Sequence, residues 1–327
     1  MTSGGRSTSR SINAVLLGCW VTVAIVLPAA GADSPAPPPK STDTAPPPSP
    51  DQLYDVGKAL FDQYAPPEIK AQYDFPSRQQ WDDFAAKLQR ALDGDSFDEL
   101  AAYEPQARAA LAALRTIPGY EDYADWLQER LDLIEAAGEA ARPPPAVPSP
   151  LPVPAPRRPA MPYYDLWLRR LRQRPAPANA PTLMPELRAA FAAEGVPPDL
   201  AWMAEVESSL NPRARSPAGA RGLFQLMPDT AQAAGLSTFL PDERTDPEKS
   251  AQAAARLLRR LHDRFGDWPL ALAAYNAGPG RVDRALAARH ARTFAEAAPA
   301  LPVETRLYVP KVYATIALRT GGEAPSS

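Results

Sequence analysis

Reactive sulfur and imidazole are nearly missing from this chain. Its 327 residues include one cysteine, Cys19, and two histidines, His262 and His290. A Cys/His zinc site therefore lacks ligands, and no metal or other cofactor is expected. Thiol catalysis has no thiol in any form cut beyond residue 19. A Ser-His-Asp arrangement would have to draw on one of the two histidines. Both lie in Arg-rich, helix-like stretches, Arg259-Arg260-Leu261-His262 and Arg289-His290-Ala291-Arg292, that read as solvated surface. No Lys/Arg run exceeds a pair and the net charge is −3, so the basic footprint of a nucleic-acid partner is absent. Gly-rich phosphate loops of the Walker or dinucleotide type are also lacking. Carboxylates remain as the main candidates for chemistry.

What is present is an ordinary globular balance, 45% hydrophobic and 22% charged residues, with proline concentrated in two places. Residues 35–50 hold eight prolines and 143–162 hold ten, of 41 in all. Such stretches favour extended polyproline II and act as semi-rigid spacers. Ahead of them, Arg6 and Arg10 precede an apolar run from Ile12 to Leu27, and Ala30-Gly31-Ala32 is a small-x-small cleavage site. Residues 1–32 thus read as an export signal, too short to span a membrane, with 33–50 a proline-rich linker. The Leu16-Leu17-Gly18-Cys19 stretch offers an alternative, a lipid anchor on Cys19. Either route places the protein outside the cytoplasm, in the periplasm or cell envelope, the second as an outer-membrane lipoprotein.

The rest reads as helix. In 51–141, Trp81, Phe84, Ala85, Leu88 and Leu92 recur at three- and four-residue steps, as do Tyr123, Trp126, Leu127, Leu131 and Ile134. This segment is expected to be a small helical domain without catalytic residues, suited to positioning or to a protein partner. A second linker, 142–162, leads to a longer domain, 163–320, and a tail, 321–327. There, Asp246-Pro247-Glu248 supplies an N-cap, a first-turn proline and an acid near the positive helix end. Ala251, Ala254, Leu258, Leu261 and Phe265 form one stripe that stops at Gly266. Asp267-Trp268-Pro269 opens a helix ending at Gly278, and Val303–Arg319 is a last helix interrupted or bent at Pro310. No alternating strand pattern is evident, so the fold class is all-α.

One helix-like segment carries an anomaly. Leu200, Met203, Ala204, Glu207 and Leu210 share a face at helical spacing, so a carboxylate stands where a leucine is expected. Glu205, about 200° around, points elsewhere. Burial disfavours the charged carboxylate and raises its pKa, and an acid protonated near neutrality can donate to a leaving group. The plain alternative is a core glutamate satisfied by an arginine or a water.

Four ordered segments narrow the choice: Glu207-Ser208 with Asn211-Pro212; Ala214 through Pro228, containing Ser216, Gly219, Gly222, Gln225 and Met227; Ala274-Tyr275-Asn276-Ala277-Gly278; and Leu301 through Val309, containing Glu304. Together they resemble the lytic transglycosylases of glycoside hydrolase family 23. The Asp242-Glu243-Arg244-Thr245-Asp246-Pro247 run and the terminal Tyr-Val-Pro-Lys look closest to the membrane-bound type D branch, although no LysM-like wall-binding repeat is evident. The resemblance covers about residues 183–318. It implies a lysozyme-like helical fold acting on peptidoglycan glycan strands, with Glu207 as sole catalytic acid and then base, closing a 1,6-anhydro ring on N-acetylmuramic acid without water. Substrate-assisted exceptions to the two-carboxylate rule are established.

The same resemblance implies supporting or substrate-binding roles for Ser208, Ser216, Gln225, Met227, Tyr275, Asn276 and Glu304. Tyr275 is expected to hydrogen-bond Glu207 or the N-acetyl group, and Glu304 to pair with Arg306 or Arg221. Alternatives for some positions are a turn role for Ser216, a backbone bond for Gln225 and a helix cap for Asn276. Gly219 and Gly222 are expected to let the loop approach the sugar or an adjoining helix closely. Trp202 reads as core. A goose-type lysozyme-like hydrolase and, further off, a non-catalytic wall-binding scaffold are the competing functions.

Overall fold

Helices follow one another through the computed structural model, which describes residues 79, 87–88, 90–115, 121–142, 161–216 and 219–321. The expected export signal, Cys19, the first linker, most of the second linker and the tail after residue 321 lie outside those residues. We label the helices α1 (Phe97–Ala101), α2 (Glu104–Leu114), α3 (Glu121–Ala141), α4 (Tyr164–Leu171), α5 (Ala180–Ala193) and α6 (Met203–Ser208). Next come α7 (Pro228–Ala233), α8 (Pro247–Phe265), α9 (Trp268–Ala277), α10 (Pro279–Arg289), α11 (Phe294–Ala297) and α12 (Val303–Thr320). Among the described residues the only extended pairings are isolated bridges of Arg221 with Arg215 and Leu226. The fold is all-α.

Local signals act as read. Asp246 caps α8 by accepting from the Lys249 amide at 3.0 Å, and Gly266 ends it in the left-handed region. Asp267 caps α9 in the same way, from the Leu270 amide at 2.7 Å. Pro310 does not interrupt α12, which runs unbroken through it. Val309, Pro310, Lys311 and Val312 are all buried, so packing on every side holds a helix that propensity alone would break.

That all-round burial places α12 between two cores. Tyr308, Val309, Val312, Tyr313 and Ile316 join a large cluster with Phe191, Leu200, Met203, Phe224, Leu258 and Leu270. Val303, Leu307 and Ala314 join a second cluster with Leu131 and Ile134 of α3 and Trp167 of α4. The sequence-based boundary between 141 and 163 is therefore no break in packing: α4, on one side of the second linker, shares its core with α3 on the other. Periodicity marks which residues are apolar, not which stripe meets which.

The two histidines differ in their surroundings. His290 is exposed, as expected, but His262 is half-buried against Trp268, with ring centroids 3.9 Å apart and planes at 19°. The tight turn at Gly266 folds Trp268 back onto it.

Candidate active site

Glu207 sits in α6, which continues a 3-10 turn, Pro198–Trp202. Leu200, Met203, Ala204 and Leu210 are fully buried, so the expected apolar face exists. Glu207 lies at its edge, partly open to solvent. Tyr308 of α12 donates its hydroxyl to Glu207 Oε1 at 2.6 Å. Burial pushes the Glu207 carboxyl up to about 7. The Tyr308 hydrogen bond and the positive Arg130 pull against that push, and the negative Glu304 and Glu129 add to it. Tyr308 and Tyr275 are both held well above the usual phenol range, by burial first and then by the charge of Glu207, so both remain donors.

Glu205 does point elsewhere, but it is also buried, gripped by Arg319 through bonds of 2.5 and 2.9 Å. Of the two acids in this helix, only Glu207 lacks a cation in direct contact among the described residues. Glu205 is thus held as one half of an ion pair, and Glu207 is held by a phenol.

The loop after α6 is built from main-chain contacts. Gly222 adopts φ +80, and a Cβ there would lie 1.9 Å from the Arg244 carbonyl oxygen. The close approach expected of this glycine is thus to the 242–246 segment. Arg244, buried, donates to the carbonyls of Gly219 (2.8 Å) and Leu226 (3.1 Å) and to both oxygens of Asp242 (2.9 and 2.8 Å). Arg221 reaches the same Asp242 at 3.1 Å. Burial opposes ionisation of Asp242, but the bonds and charge of Arg244 outweigh it and hold the carboxyl below its usual range. The Asp242–Arg244 run, which in sequence marks only kinship, pins the loop.

Several expected site residues serve this framework. Ser208 is buried, its Oγ 3.0 Å from the carbonyls of both Ala204 and Leu223, so it ties α6 to the loop. Ser216 is buried too, and its Oγ accepts from the Ala220 amide at 3.0 Å, the turn role that was the alternative. Gln225 stands at φ +45 and gives its Nε2 hydrogens to the carbonyls of Gly222 (2.9 Å) and Ala214 (3.3 Å). Its Oε1 is buried without a hydrogen-bond partner among the described residues. Met227 is 42% exposed, available for an apolar contact.

Three expectations about partners are corrected. Tyr275, expected to bond Glu207 or an N-acetyl group, donates to the Phe224 carbonyl at 2.7 Å, and the bond to Glu207 is made by Tyr308. Asn276 accepts from Thr305 Oγ1 at 2.7 Å and leaves the helix end to the Gly278 amide, which bonds Ala274. Glu304 pairs with Arg130 of α3 at 3.1 Å, whereas Arg306 bonds the Asp95 carbonyl and the Tyr163 hydroxyl. A cavity of about 460 Å³ lined by Asp93, Asp95, Arg281, Arg284 and Pro302 does not include Glu207.

Removing the Tyr308 hydroxyl tests its part in this balance. The phenol donates to the charged carboxylate and therefore lowers the pKa of Glu207. In Tyr308→Phe, the Glu207 midpoint is expected to rise further, by about one unit, read by carbon-13 NMR of the labelled carboxyl. A midpoint that stays or falls contradicts the assignment.

Comparison with known proteins bears on the same segment. The model of the transglycosylase SLT domain matches residues 187–297. Membrane-bound lytic murein transglycosylase D of Escherichia coli (strain K12) is 42% identical over 124 residues, covering 36% of this chain and 27% of that protein. Soluble lytic murein transglycosylase of Salmonella typhimurium is 38% identical over 122 residues, 34% of this chain and 19% of that one. A transglycosylase of Enterobacteria phage PRD1 is 41% identical over 84 residues, 26% of this chain and 30% of that one. The chain thus spans under a third of the length of each of these curated relatives.

Proposed function

We propose that this chain, which carries a transglycosylase SLT domain over residues 187–297, is a peptidoglycan lytic transglycosylase with a lysozyme-like catalytic domain and Glu207 as its catalytic residue. The observation that carries the reading is the Glu207 carboxyl itself: partly open, bonded by Tyr308 and pushed up to about 7. It holds a proton where most glutamates have lost theirs. That proton goes to the glycosidic oxygen between N-acetylmuramic acid and N-acetylglucosamine as the C1–O bond breaks. The resulting carboxylate then takes the proton of the muramyl 6-hydroxyl, whose oxygen bonds to C1 and closes the 1,6-anhydro ring. Glu207 ends as it began, and no water is consumed.

The charge inventory favours this over hydrolysis. An inverting glycosidase needs a second carboxylate to activate water, and a retaining one needs it as nucleophile. The acids nearest Glu207 are committed elsewhere: Glu205 to Arg319, Glu304 to Arg130 and Glu129 to Lys311. Residues 1–32 would export the enzyme to the cell envelope, or Cys19 would anchor it by a lipid. Mass analysis of muropeptides released from purified sacculi separates the outcomes. Anhydro ends, one water lighter, support the lyase; reducing ends overturn it for a hydrolase; no release revives the scaffold.

A further inference from the structure

Helix α3 lies outside residues 187–297, in the segment whose sequence suits positioning or a protein partner without naming a residue for either. Its side chains nonetheless reach the turn that follows Glu207. Asp125, Glu129 and Asp132 fall at steps of four and three, along one face. Asn211 Nδ2 donates to Asp125 Oδ2 at 3.1 Å, and Ser209 Oγ donates to Glu129 Oε1 at 2.7 Å. The other oxygen of Glu129 meets Lys311 of α12, which also bonds Asp132 at 3.2 Å. Glu129 and Lys311 are buried, so these contacts are shielded from water. The helix that supplies Tyr308 therefore also anchors the acid that holds Ser209.

That turn would not hold itself. Ser209 (φ 52) and Leu210 (φ 58) both sit in the left-handed region, which costs non-glycine residues roughly 1–2 kcal/mol each. Their amides close α6 by bonding the carbonyls of Glu205 (2.9 Å) and Ala204 (3.3 Å), the first the five-to-one bond of a left-handed cap and the second reaching back six residues. If either residue relaxed, both bonds would open and the carboxyl two positions earlier would swing out of register with Tyr308. Strain of this kind persists only where surrounding structure over-determines it.

We propose that α3 is a positioning element of the catalytic centre, holding the Ser209–Asn211 turn, and through it Glu207, by way of Glu129 and Asp125. The inference rests on the reading of Glu207 as the acid. The test uses the full chain and four variants: Ser209→Ala, Glu129→Ala, their double mutant and Glu129→Gln. Each alanine variant is expected to lower kcat roughly tenfold with KM unchanged, as small displacements of a reacting group do. The double mutant should fall no further than the worse single one. Glu129→Gln should recover most of the rate, because it keeps an acceptor for Ser209 while Asp132 keeps Lys311 paired. Hydrogen exchange at the Ser209 and Leu210 amides should quicken about tenfold in Ser209→Ala, a readout independent of turnover. If the wild-type chain cleaves no glycan, the catalytic reading fails while exchange still reports on the grip. Unchanged exchange in Ser209→Ala, or unchanged kcat in an active protein, overturns the proposal, as do additive losses in the double mutant. Ser209→Ala removes one hydroxyl and no charge, so it decides the matter even should Glu129→Ala fail to fold.

Discussion

Glu207→Gln is expected to lower kcat by roughly 10²–10⁴-fold and to leave the protein more stable, not less, at alkaline pH. The first effect follows from removing the proton that Glu207 delivers while keeping the shape of the side chain. The second follows from linkage. The folded-state pKa of Glu207 is about 7, against 4.5 for a free glutamate, so the folded protein binds this proton more tightly than the unfolded one. The stability gained is complete below about 4.5 and is lost as pH rises through 7; above that, folding keeps a charge in a place that disfavours it. A shift of that size is on the order of 3 kcal/mol before screening, and partial exposure discounts it to about 1–2 kcal/mol. Urea titrations at pH 5 and pH 8 check it: the glutamine variant should gain relative to wild type only at the higher pH. Equal stability at both would mean that Glu207 is not held as described. Activity of the wild type should decline through the same range, since the reaction starts from the protonated acid.

Lys311→Met should be the most damaging single change to the fold, lowering stability by about 3–5 kcal/mol at neutral pH. Lys311 is 2% exposed and meets Glu129 and Asp132, themselves 4% and 1% exposed. Burial pushes Asp132 up, yet Lys311 and the two bonds from Arg174 (2.6 and 2.8 Å) hold it down at about 2. Without the ammonium, Asp132 keeps Arg174 but Glu129 loses its only cation among the contacts described. Burial already raises the pKa of Glu129, so in the variant it should take up a proton as pH falls, and the deficit should shrink by pH 5. Denaturant midpoints across pH 5–8 would show this. A deficit that is constant across the range would mean that packing, not charge, is what Lys311 supplies.

These two residues also mark what could be read from one chain and what could not. Glu207 was legible because a carboxylate in an apolar helical stripe is a local anomaly, and the caps at Asp246 and Asp267 because a cap lies within four residues of its partner. Tyr308 stands out in the sequence only within the Tyr-Val-Pro-Lys motif, and its bond to Glu207 spans 101 positions with nothing in composition to announce it. The ion pairs failed in the same way. Arg130–Glu304 and Arg319–Glu205 join charges 174 and 114 residues apart, and any of several arginines fits the pattern equally well. Pro310 misled because propensity weighs the chain alone, while α12 is clasped on every side. Ser216 turned to a backbone amide and Asn276 to the Thr305 hydroxyl, a choice that packing makes and that sequence does not display.

The shared core of α3, α4 and α12 bears on how the protein tolerates being cut. A nick in the proline-rich stretch between residues 143 and 160 breaks one strand of covalent chain but none of the buried contacts around Trp167 or Lys311. The pieces should stay together as complementary fragments. Shortening the gene to the half that carries Glu207 is a different matter: it leaves the buried Lys311 ammonium with both of its carboxylates gone.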